Sequence, residues 1–255
     1  KSYPTNQLYS DLNLRLNKGD KVGLVGRNGT GKSTLFKLVL GEEHAESGEI
    51  AIPKNYKIGA LKQYFDFTEK TLLDETALAL GEDDKYNIYK AEKILFGLGF
   101  SESDLQKEPK SFSGGYQIRI NLAKLLLTEP NMLLLDEPTN YLDILSIRWL
   151  KAFLKSFDGE VILITHDRDF MDSVCTHTMG IIRKNAFMVQ GGTKKFYELL
   201  EQNDEHYEKQ KIAQEKKIKE LEEFIAKNKA RAATANLAQS KVKILEKMDI
   251  LEDIE

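Results

Sequence analysis

A glycine-rich turn between an apolar run and a helical run constrains this chain more than any other feature. Residues 26–34 read GRNGTGKST and follow the apolar residues 22–25. Glycines let the backbone turn successive N–H groups toward an anion, and the next helix adds its positive N-terminal end. The pattern is typical of a loop that binds nucleoside triphosphate. The predicted contacts are Gly26, Asn28, Gly29, Gly31, Lys32, Ser33 and Thr34.

A second pattern supplies acidic side chains for the same ligand. Asp136 and Glu137 directly follow the apolar residues 132–135. Asp136 would hold Mg²⁺ together with the Ser33 hydroxyl, and Glu137 would act on the attacking water. Lys32 would neutralise the β- and γ-phosphates. Taken alone, two acids before a proline would more often be a plain strand end, and the glycine-rich loop reverses that preference.

Composition limits the classes of protein to which the chain can belong. Its 255 residues, 41% of them hydrophobic, can build one large core or one core plus an appendage. No apolar run approaches the roughly 18 residues that a bilayer span needs, so we expect no direct membrane insertion. A net charge of −3 argues against a basic coat for nucleic acid but permits a local basic patch. The single cysteine, Cys175, fits a reducing, cytoplasmic environment.

The hydrophobic pattern predicts an α/β core. Strands are expected in six segments, and a mostly helical block is expected over residues 72–127. Two of these strands flank the helical stretch 145–157, which implies parallel pairing. Because ligands bind at the carboxyl ends of parallel strands, Thr165 and His166 should join Asp136 and Glu137 beside the loop. The expected strands are residues 12–16, 22–25, 50–52, 57–61, 132–135 and 161–164.

The tail differs in composition from the rest of the chain. Residues 196–255 contain no glycine or proline, and apolar residues recur there at helical spacing. We predict two long helices folded into an antiparallel hairpin. The first would reach roughly 45 Å if it is unbroken to about Ala226.

Three motifs in this order resemble those of an ATP-binding cassette domain: residues 113–117 (SGGYQ), 136–143 (DEPTNYLD) and 165–167 (THD). The resemblance implies a P-loop NTPase cassette, with a mixed sheet and an α-helical subdomain, over residues 1–195. It implies ATP and Mg²⁺ as ligands. By the same resemblance Gln63 links Mg²⁺ and water to the helical subdomain, His166 senses the γ-phosphate, and Tyr3 stacks on adenine.

The resemblance also implies that one cassette cannot complete a site. Ser113, Gly114 and Gly115 would contact the γ-phosphate bound to an opposing cassette, and Asp143 would lie at the seam between the two. The partner would be a second cassette domain of the same parent chain, or a second copy in a homodimer. No such second cassette is present in this sequence.

Residues 140–143 followed by a charged hairpin resemble the ABC-F family of ribosome-associated ATPases. This resemblance implies ATP hydrolysis, a cytoplasmic location, and contact of the hairpin with the ribosome, tRNA and rRNA. Residues 196–255 would be the interdomain linker, truncated here. No acid lies between Glu223 and Glu246, so the expected tip is basic. Its RNA-contacting residues would be Lys227, Lys229, Arg231, Lys241 and Lys243.

Two other classes remain open at this point. The motor subunit of an ABC transporter would share the cassette, but the long hairpin after Gly192 disfavours it. A DNA-repair ATPase would carry its coiled coil between the glycine-rich loop and the SGGYQ motif, whereas here the hairpin follows the whole cassette.

Overall fold

A computed structural model describes residues 2–3, 6–10, 12–27, 29–61, 66–228, 235–246 and 248. The chain divides into a first unit, Lys1–Phe196, and a second unit, Tyr197–Glu255.

The first unit contains both strands and helices, and three of its described segments are 3₁₀ helices: Glu82–Asp84, Glu102–Asp104 and Pro109–Ser111. The last two described helices form the second unit, except that the first of them begins four residues before it, at Thr193. In chain order the elements are β1 (Ser2–Tyr3), β2 (Asn6–Gln7), β3 (Lys21–Val25), α1 (Lys32–Val39), β4 (Ile58–Ala60), α2 (Leu72–Ala77), α3 (Ile88–Gly97), α4 (Gly114–Leu127), β5 (Met132–Asp136), α5 (Ile144–Ser156), β6 (Glu160–Ile164), α6 (Arg168–Val174), β7 (His177–Ile182), β8 (Asn185–Gln190), α7 (Thr193–Asn228) and α8 (Ala235–Glu246).

Six of the described strands form one mixed sheet in the order β4-β5-β6-β3-β7-β8. The first five run parallel, and β8 returns antiparallel to β7. Leu134 of β5 lies opposite Ile162 of β6, and Val22 of β3 lies opposite the same residue on its other side. Strands β1 and β2 pair antiparallel apart from this sheet. The carboxyl ends of β5, β6 and β3 therefore meet at one edge.

Both faces of the sheet are buried, which explains why β5 and β6 are continuously apolar rather than alternating. Leu133 and Leu163 point into a core shared with the helices α3 to α6. Leu134 and Ile162 point into the opposite core, which includes α1 and Tyr9. Each strand thus contributes alternate side chains to two separate hydrophobic layers.

The predicted helical block is confirmed by α2, α3 and α4. Thr71 begins α2 by accepting a hydrogen bond from the Asp74 amide at 3.1 Å. Glu75 is fully buried, and it accepts hydrogen bonds from the amides of Thr68 and Glu69 and from the Lys124 ammonium of α4. A buried carboxylate needs such donors, because an unpaired one would lose its hydration without compensation.

Two predicted strands are wrong. Residues 12–16 form no strand, although Leu12 and Leu14 are half-buried and Asn13 and Arg15 are exposed, as the alternation predicts. Residues 50–52 also lack regular structure, and Ile50 and Ile52 are 47% and 44% exposed. Period-two alternation indicates which side chains face inward, but a strand also requires a neighbouring backbone with free hydrogen-bonding groups.

The first residues of the long helix α7, Thr193 to Phe196, belong to the first unit. The Thr193 amide and hydroxyl donate to the Asp172 carboxylate at 2.7 and 2.8 Å, and Phe196 packs on Phe187. The helix has 36 residues, so it is about 54 Å long at about 1.5 Å per residue, longer than predicted.

Within the second unit, less exposed side chains recur along α7 at alternating intervals of three and four residues, with Leu221 buried. This spacing is typical of a helix that packs along another helix. The helix α8 follows in the same unit. The turn between them, residues 229–234, lies outside the described part of the chain.

Candidate nucleotide site

The glycine-rich loop curls around the side chain of its own lysine. It leaves β3 after Val25 and enters α1 at Lys32. Gly31, which precedes the helix, has φ +96°, a conformation that strongly favours glycine. The Lys32 ammonium donates to the carbonyl oxygens of Gly26 and Arg27, each at 2.8 Å. The cation therefore lies at the centre of the loop.

Tyr9 supports the loop from below, a role that the sequence analysis missed. Its hydroxyl donates to the Gly31 carbonyl, which also accepts from the Leu35 amide at 2.8 Å. Tyr9 is only 5% exposed. A Cβ atom added at position 31 would lie 2.6 Å from the tyrosine hydroxyl oxygen. The close approach of this ring is a second reason why the position is a glycine.

The two predicted carboxylates follow β5 at the same edge of the sheet. Asp136 is exposed, whereas the Glu137 side chain is 22% exposed. The Glu137 backbone has φ +48°, held by a 2.8 Å hydrogen bond from its amide to the Ile164 carbonyl of β6. Its Oε1 atom is buried and has no hydrogen-bond partner among the described residues. A strained backbone and an unsatisfied carboxylate oxygen together are typical of a functional side chain.

His166 lies directly over Glu137. The His166 amide donates to Glu137 Oε2 at 3.4 Å, and its Nε2 atom lies 3.5 Å from Glu137 Oε1. The imidazole is 81% exposed, so it faces open space at the edge of the sheet. The predicted convergence of His166 with the acidic pair is confirmed.

The charged groups at this edge influence one another. The pKa of Asp136 is raised, first by partial burial at the strand end and then by the Glu137 carboxylate. Lys32 and His166 act in the opposite direction and lower it. The loop lysine, both carboxylates and the histidine all follow the adjacent parallel strands β3, β5 and β6, whose carboxyl ends meet at this edge. We call Lys32, Asp136, Glu137 and His166 the phosphate cluster.

The residues present fit a nucleotide with Mg²⁺. Lys32 and the α1 N-terminus offer positive charge to phosphate oxygens. The hydroxyl of Ser33 and the carboxylate of Asp136, both on exposed residues, are oxygen ligands of the kind that Mg²⁺ prefers. The unsatisfied oxygen of Glu137 can accept a hydrogen bond from a water molecule.

The SGGYQ motif begins a second helix with an exposed N-terminus. Ser113 is the residue before α4, and its hydroxyl makes no capping hydrogen bond within the described helix. Ser113 and Gly114 are exposed. A Cβ atom at Gly115 would lie 3.2 Å from the Tyr141 Cβ, so the motif packs directly against the loop that follows Glu137.

A buried arginine links that loop to α4. The Arg119 guanidinium donates to the Tyr141 carbonyl at 2.8 Å, to Asp143 Oδ2 at 3.0 Å and to the Leu98 carbonyl at 3.1 Å. Its side chain is 8% exposed and lies over the Tyr116 ring. We call Ser113, Gly114, Gly115, Arg119, Tyr141 and Asp143 the signature cluster.

Asp143 serves both that arginine and the next helix. Its Oδ1 atom accepts the Ser146 amide at 2.9 Å, which makes Asp143 the cap of α5. The pKa of Asp143 is lowered, chiefly by this backbone hydrogen bond and further by the Arg119 side chain. The carboxylate is thus held ionised and fixed in place.

A family profile for ABC transporters matches residues 9–140, just over half of the chain, and a second ABC transporter profile matches residues 181–255. The chain belongs to the ABC transporter family. It is therefore an ATP-binding cassette followed by an extension.

Relatives of this cassette include bacterial and plant proteins. It is 34% identical to YfmM of Bacillus subtilis, described as an uncharacterized ABC transporter ATP-binding protein, over 96% of this chain and 55% of that protein. It is 30% identical to ABC transporter F family member 5 of Arabidopsis thaliana, over 99% of this chain and 43% of that protein. The chain thus spans about half the length of the curated relatives it matches.

A solved structure confirms the cassette fold. The dimeric cassette MJ0796, in a post-hydrolysis state bound to ADP and Pi, superposes with a TM-score of 0.58. The match covers 72% of this chain and 90% of that one at 22% identity. The predicted mixed sheet and helical subdomain are therefore confirmed.

Some predicted site residues fall outside the described part of the chain: Asn28 and Gln63 of the cassette, and Lys229 and Arg231 of the extension. Tyr3 lies in β1, but its side chain is outside that part as well. Of the remaining basic residues of the extension, Lys227 and Lys243 are exposed and Lys241 is half-buried. Gly26 and Gly29 adopt positive φ angles, as expected of the loop, and Thr34 lies in the first turn of α1.

Proposed function

We propose that this cassette hydrolyses ATP as part of a cytoplasmic ABC-F-type translation factor that acts on the ribosome. The observation that carries the proposal is the 36-residue helix α7, which continues directly from the cassette and is followed by α8. The match to an F family member over 99% of the chain, extension included, supports the same reading. None of the described helices has the length and apolar character that crossing a membrane requires.

In the proposed reaction the phosphate cluster binds and orients the nucleotide. Lys32 exchanges its loop carbonyl acceptors for the β- and γ-phosphate oxygens, which the glycine-rich loop and the α1 N-terminus also contact. Ser33 and Asp136 would hold Mg²⁺, with Gln63, and the ion would offset phosphate charge. Tyr3 would stack on the adenine ring.

Glu137 is proposed to accept a proton from the attacking water. Its buried Oε1 has no hydrogen-bond partner among the described residues, so the carboxylate can take up this hydrogen bond without first breaking another. His166, 3.5 Å away, would orient Glu137 and donate toward the γ-phosphate. The histidine is well exposed, which leaves its ring accessible to that ligand.

The proposal includes a second cassette, either from the same parent chain or from a second copy. The Ser113 hydroxyl makes no capping hydrogen bond within the described helix, and the exposed start of α4 presents backbone N–H groups, a suitable combination for an anion on an opposing surface. The dimeric arrangement of the MJ0796 cassette and the greater length of the relatives support this pairing.

The extension is proposed to contact tRNA and rRNA with its basic end. Lys227 lies in the last turn of α7, and Lys241 and Lys243 lie on α8. With Lys229 and Arg231 they form a segment without acidic residues. If all five contact phosphates, log affinity for RNA should fall against log salt with a slope of roughly −3.5 to −4.5.

The test is ATP-dependent co-sedimentation of the full-length protein with ribosomes. We expect Glu137→Gln to accumulate on ribosomes in ATP, because closure without hydrolysis prevents release. Changing Lys229, Arg231, Lys241 and Lys243 to Ala in the Glu137→Gln background should abolish that accumulation. A matched control changes four exposed lysines elsewhere on α7 to Ala: Lys209, Lys216, Lys217 and Lys219.

The control should sediment as Glu137→Gln does. If control and tip variants lose binding equally, the association reflects overall charge rather than the basic end. If no form sediments in ATP at low salt, the ribosomal function is wrong.

A transporter motor subunit is the second candidate, favoured by one observation. The helical subdomain exposes Tyr86, Tyr89 and Phe96, with exposures of 92%, 61% and 45%. Apolar side chains exposed together often mark a protein-contact surface, such as one for membrane subunits. Co-fractionation of the full-length protein with membranes, lost on changing these three residues to Ser, would support this candidate instead.

A further inference from the structure

Arg119 is a buried cation that the nucleotide chemistry leaves unexplained. It lies on α4 with Leu122, Ala123 and Leu126, at the spacing of the buried helix face, where an apolar residue would be expected. A guanidinium is costly to bury unless its donors are satisfied. Its hydrogen bonds go to oxygens of Leu98, Tyr141 and Asp143, all outside α4, while its face lies over the Tyr116 ring of the same helix. The Arg119 side chain therefore connects α4 to other elements of the cassette rather than stabilising α4 alone.

The guanidinium joins three parts of the cassette. It reaches the Leu98 carbonyl just after α3, the Tyr141 carbonyl, and the Asp143 carboxylate at the start of α5. Tyr141 has φ +68°, a conformation that is unfavourable for a non-glycine residue and persists only when surrounding contacts hold it. The hydrogen bonds from Arg119 to its carbonyl are such contacts.

Gly99 completes the junction from the opposite side. It has φ +87°, and an added Cβ atom would lie 2.9 Å from Arg119 Nη1, 2.9 Å from Ser146 Oγ and 3.1 Å from Asp143 Oδ2. The backbone therefore approaches the ion pair so closely that only glycine fits. Arg119 on α4 and Gly99 after α3 therefore both allow the close contact with Asp143.

We propose that Arg119 is a positioning residue that holds the SGGYQ motif and residues 139–143 in one fixed arrangement. The motif already touches Tyr141 through Gly115, and residues 139–143 lead directly from Glu137 to α5. A ligand that engages Ser113 and Gly114 thereby fixes the segment that follows Glu137 in the chain. The inference rests on the proposed ATP hydrolysis, but not on the ribosomal role.

The test compares Arg119→Lys and Gly99→Ala with Arg15→Lys, a change at an exposed arginine outside the junction. Each full-length variant is assayed without ribosomes for kcat, for ATPγS affinity, for melting temperature, and for amide hydrogen exchange across residues 139–143. Lysine keeps the charge but cannot reach three separate acceptors with a planar fork.

We expect both junction variants to lower kcat at least about 10-fold, because small misplacements of reacting groups have large effects. The affinity for ATPγS should stay within about twofold, since the phosphate cluster is untouched. Exchange should accelerate across residues 139–143 while β5 and β6 keep their protection, and Arg15→Lys should match the wild type. A purely structural role would instead accelerate exchange throughout the first unit.

A kcat within about twofold of the wild type at unchanged exchange would overturn the inference. So would a fall in ATPγS affinity equal to the fall in kcat. If the wild type itself lacks turnover, the proposed hydrolysis is wrong. Amide hydrogen exchange then decides the inference alone: exchange across residues 139–143 that is the same in the junction variants as in the wild type rejects the positioning role of Arg119.

Discussion

At the scale of single residues, Glu137 has three features that are typical of a functional side chain. It combines φ +48°, a buried oxygen without a described hydrogen-bond partner, and a histidine 3.5 Å away. We expect Glu137→Gln to lower kcat by about 10²- to 10⁴-fold, since the amide cannot accept a proton. ATPγS affinity should change less than about threefold, because Glu137 is not a predicted ligand of the phosphates. Phosphate release and equilibrium binding measure the two effects.

The matched control for this substitution is Glu102→Gln, an exposed glutamate in a 3₁₀ helix. It should leave both quantities unchanged. A Glu137→Gln protein that turns over at more than about one tenth of the wild-type rate would show that another group accepts the proton.

Asp136 gives a prediction about pH. The pKa of Asp136 is raised in the folded protein, so the folded state binds its proton more tightly than the unfolded state does. This contribution to the free energy of unfolding is complete below the pKa of the unfolded chain, about 3.9, and is lost as pH rises through the pKa of the folded protein. At pH 7 the ionised carboxylate therefore destabilises the protein. We expect Asp136→Asn to melt about 1–2 °C higher at pH 7 without nucleotide, with the difference shrinking toward pH 4.

Melting curves at several pH values, with Asp158→Asn as an exposed comparison, check this. A lower melting temperature for Asp136→Asn at pH 7 would contradict it. The same variant should lose the effect of Mg²⁺ on nucleotide affinity, if Asp136 is the ligand proposed.

The sequence predicts the residues of the phosphate cluster because their chemistry is local. A glycine-rich loop, two acids after an apolar strand, and a histidine after another can each be recognised within a few residues. The roles of Tyr9 and Arg119 were not predicted, because their hydrogen-bond acceptors lie 21 or more positions away in the sequence. For Arg119 one signal was available: a charged residue at the spacing of the apolar face of α4 indicates a buried, paired side chain.

At the scale of elements, the contact between α3 and α5 depends on a glycine. An added Cβ atom at Gly97 would lie 2.1 Å from the Trp149 ring. Because overpacking costs about 1–3 kcal/mol, Gly97→Ala should lower the melting temperature by about 3–8 °C. Circular dichroism melting measures it.

Gly81→Ala is the comparison, since a Cβ atom there meets nothing within 4 Å and φ is −65°. It should melt within about 1 °C of the wild type. Equal melting temperatures for Gly97→Ala and the wild type would mean that the ring moves aside freely.

Elements buried on both faces were predicted best. The predicted bounds of β5 and β6 differ by one residue from those observed, because uninterrupted apolar runs bounded by polar residues leave little choice. The strand predicted at residues 12–16 is wrong because these side chains alternate between half-buried and exposed, as in a strand, but the backbone pairs with no neighbouring strand among the described residues. Hydrogen-bond partners depend on the whole topology, which a local pattern does not contain.

At the scale of the whole molecule, every described residue of the two clusters lies in the first unit. Deleting residues 205–255 from the 255-residue chain should therefore leave affinity for a fluorescent ATP analogue within about twofold. The cut keeps the first turns of α7, where Thr193 and Phe196 hold to the cassette. A truncated protein that fails to fold, or binds nucleotide more than about tenfold more weakly, would show that the extension supports the site.

The chain contains a single tryptophan, and Trp149 lies at the contact between α3 and α5, stacked on Phe153 at 5.5 Å. Indole emission depends on the polarity and packing around the ring. This 255-residue chain therefore carries one tryptophan as an intrinsic optical probe, placed where the helical subdomain meets the rest of the cassette. Any movement of that subdomain during turnover can be followed in real time by stopped-flow fluorescence, without a label.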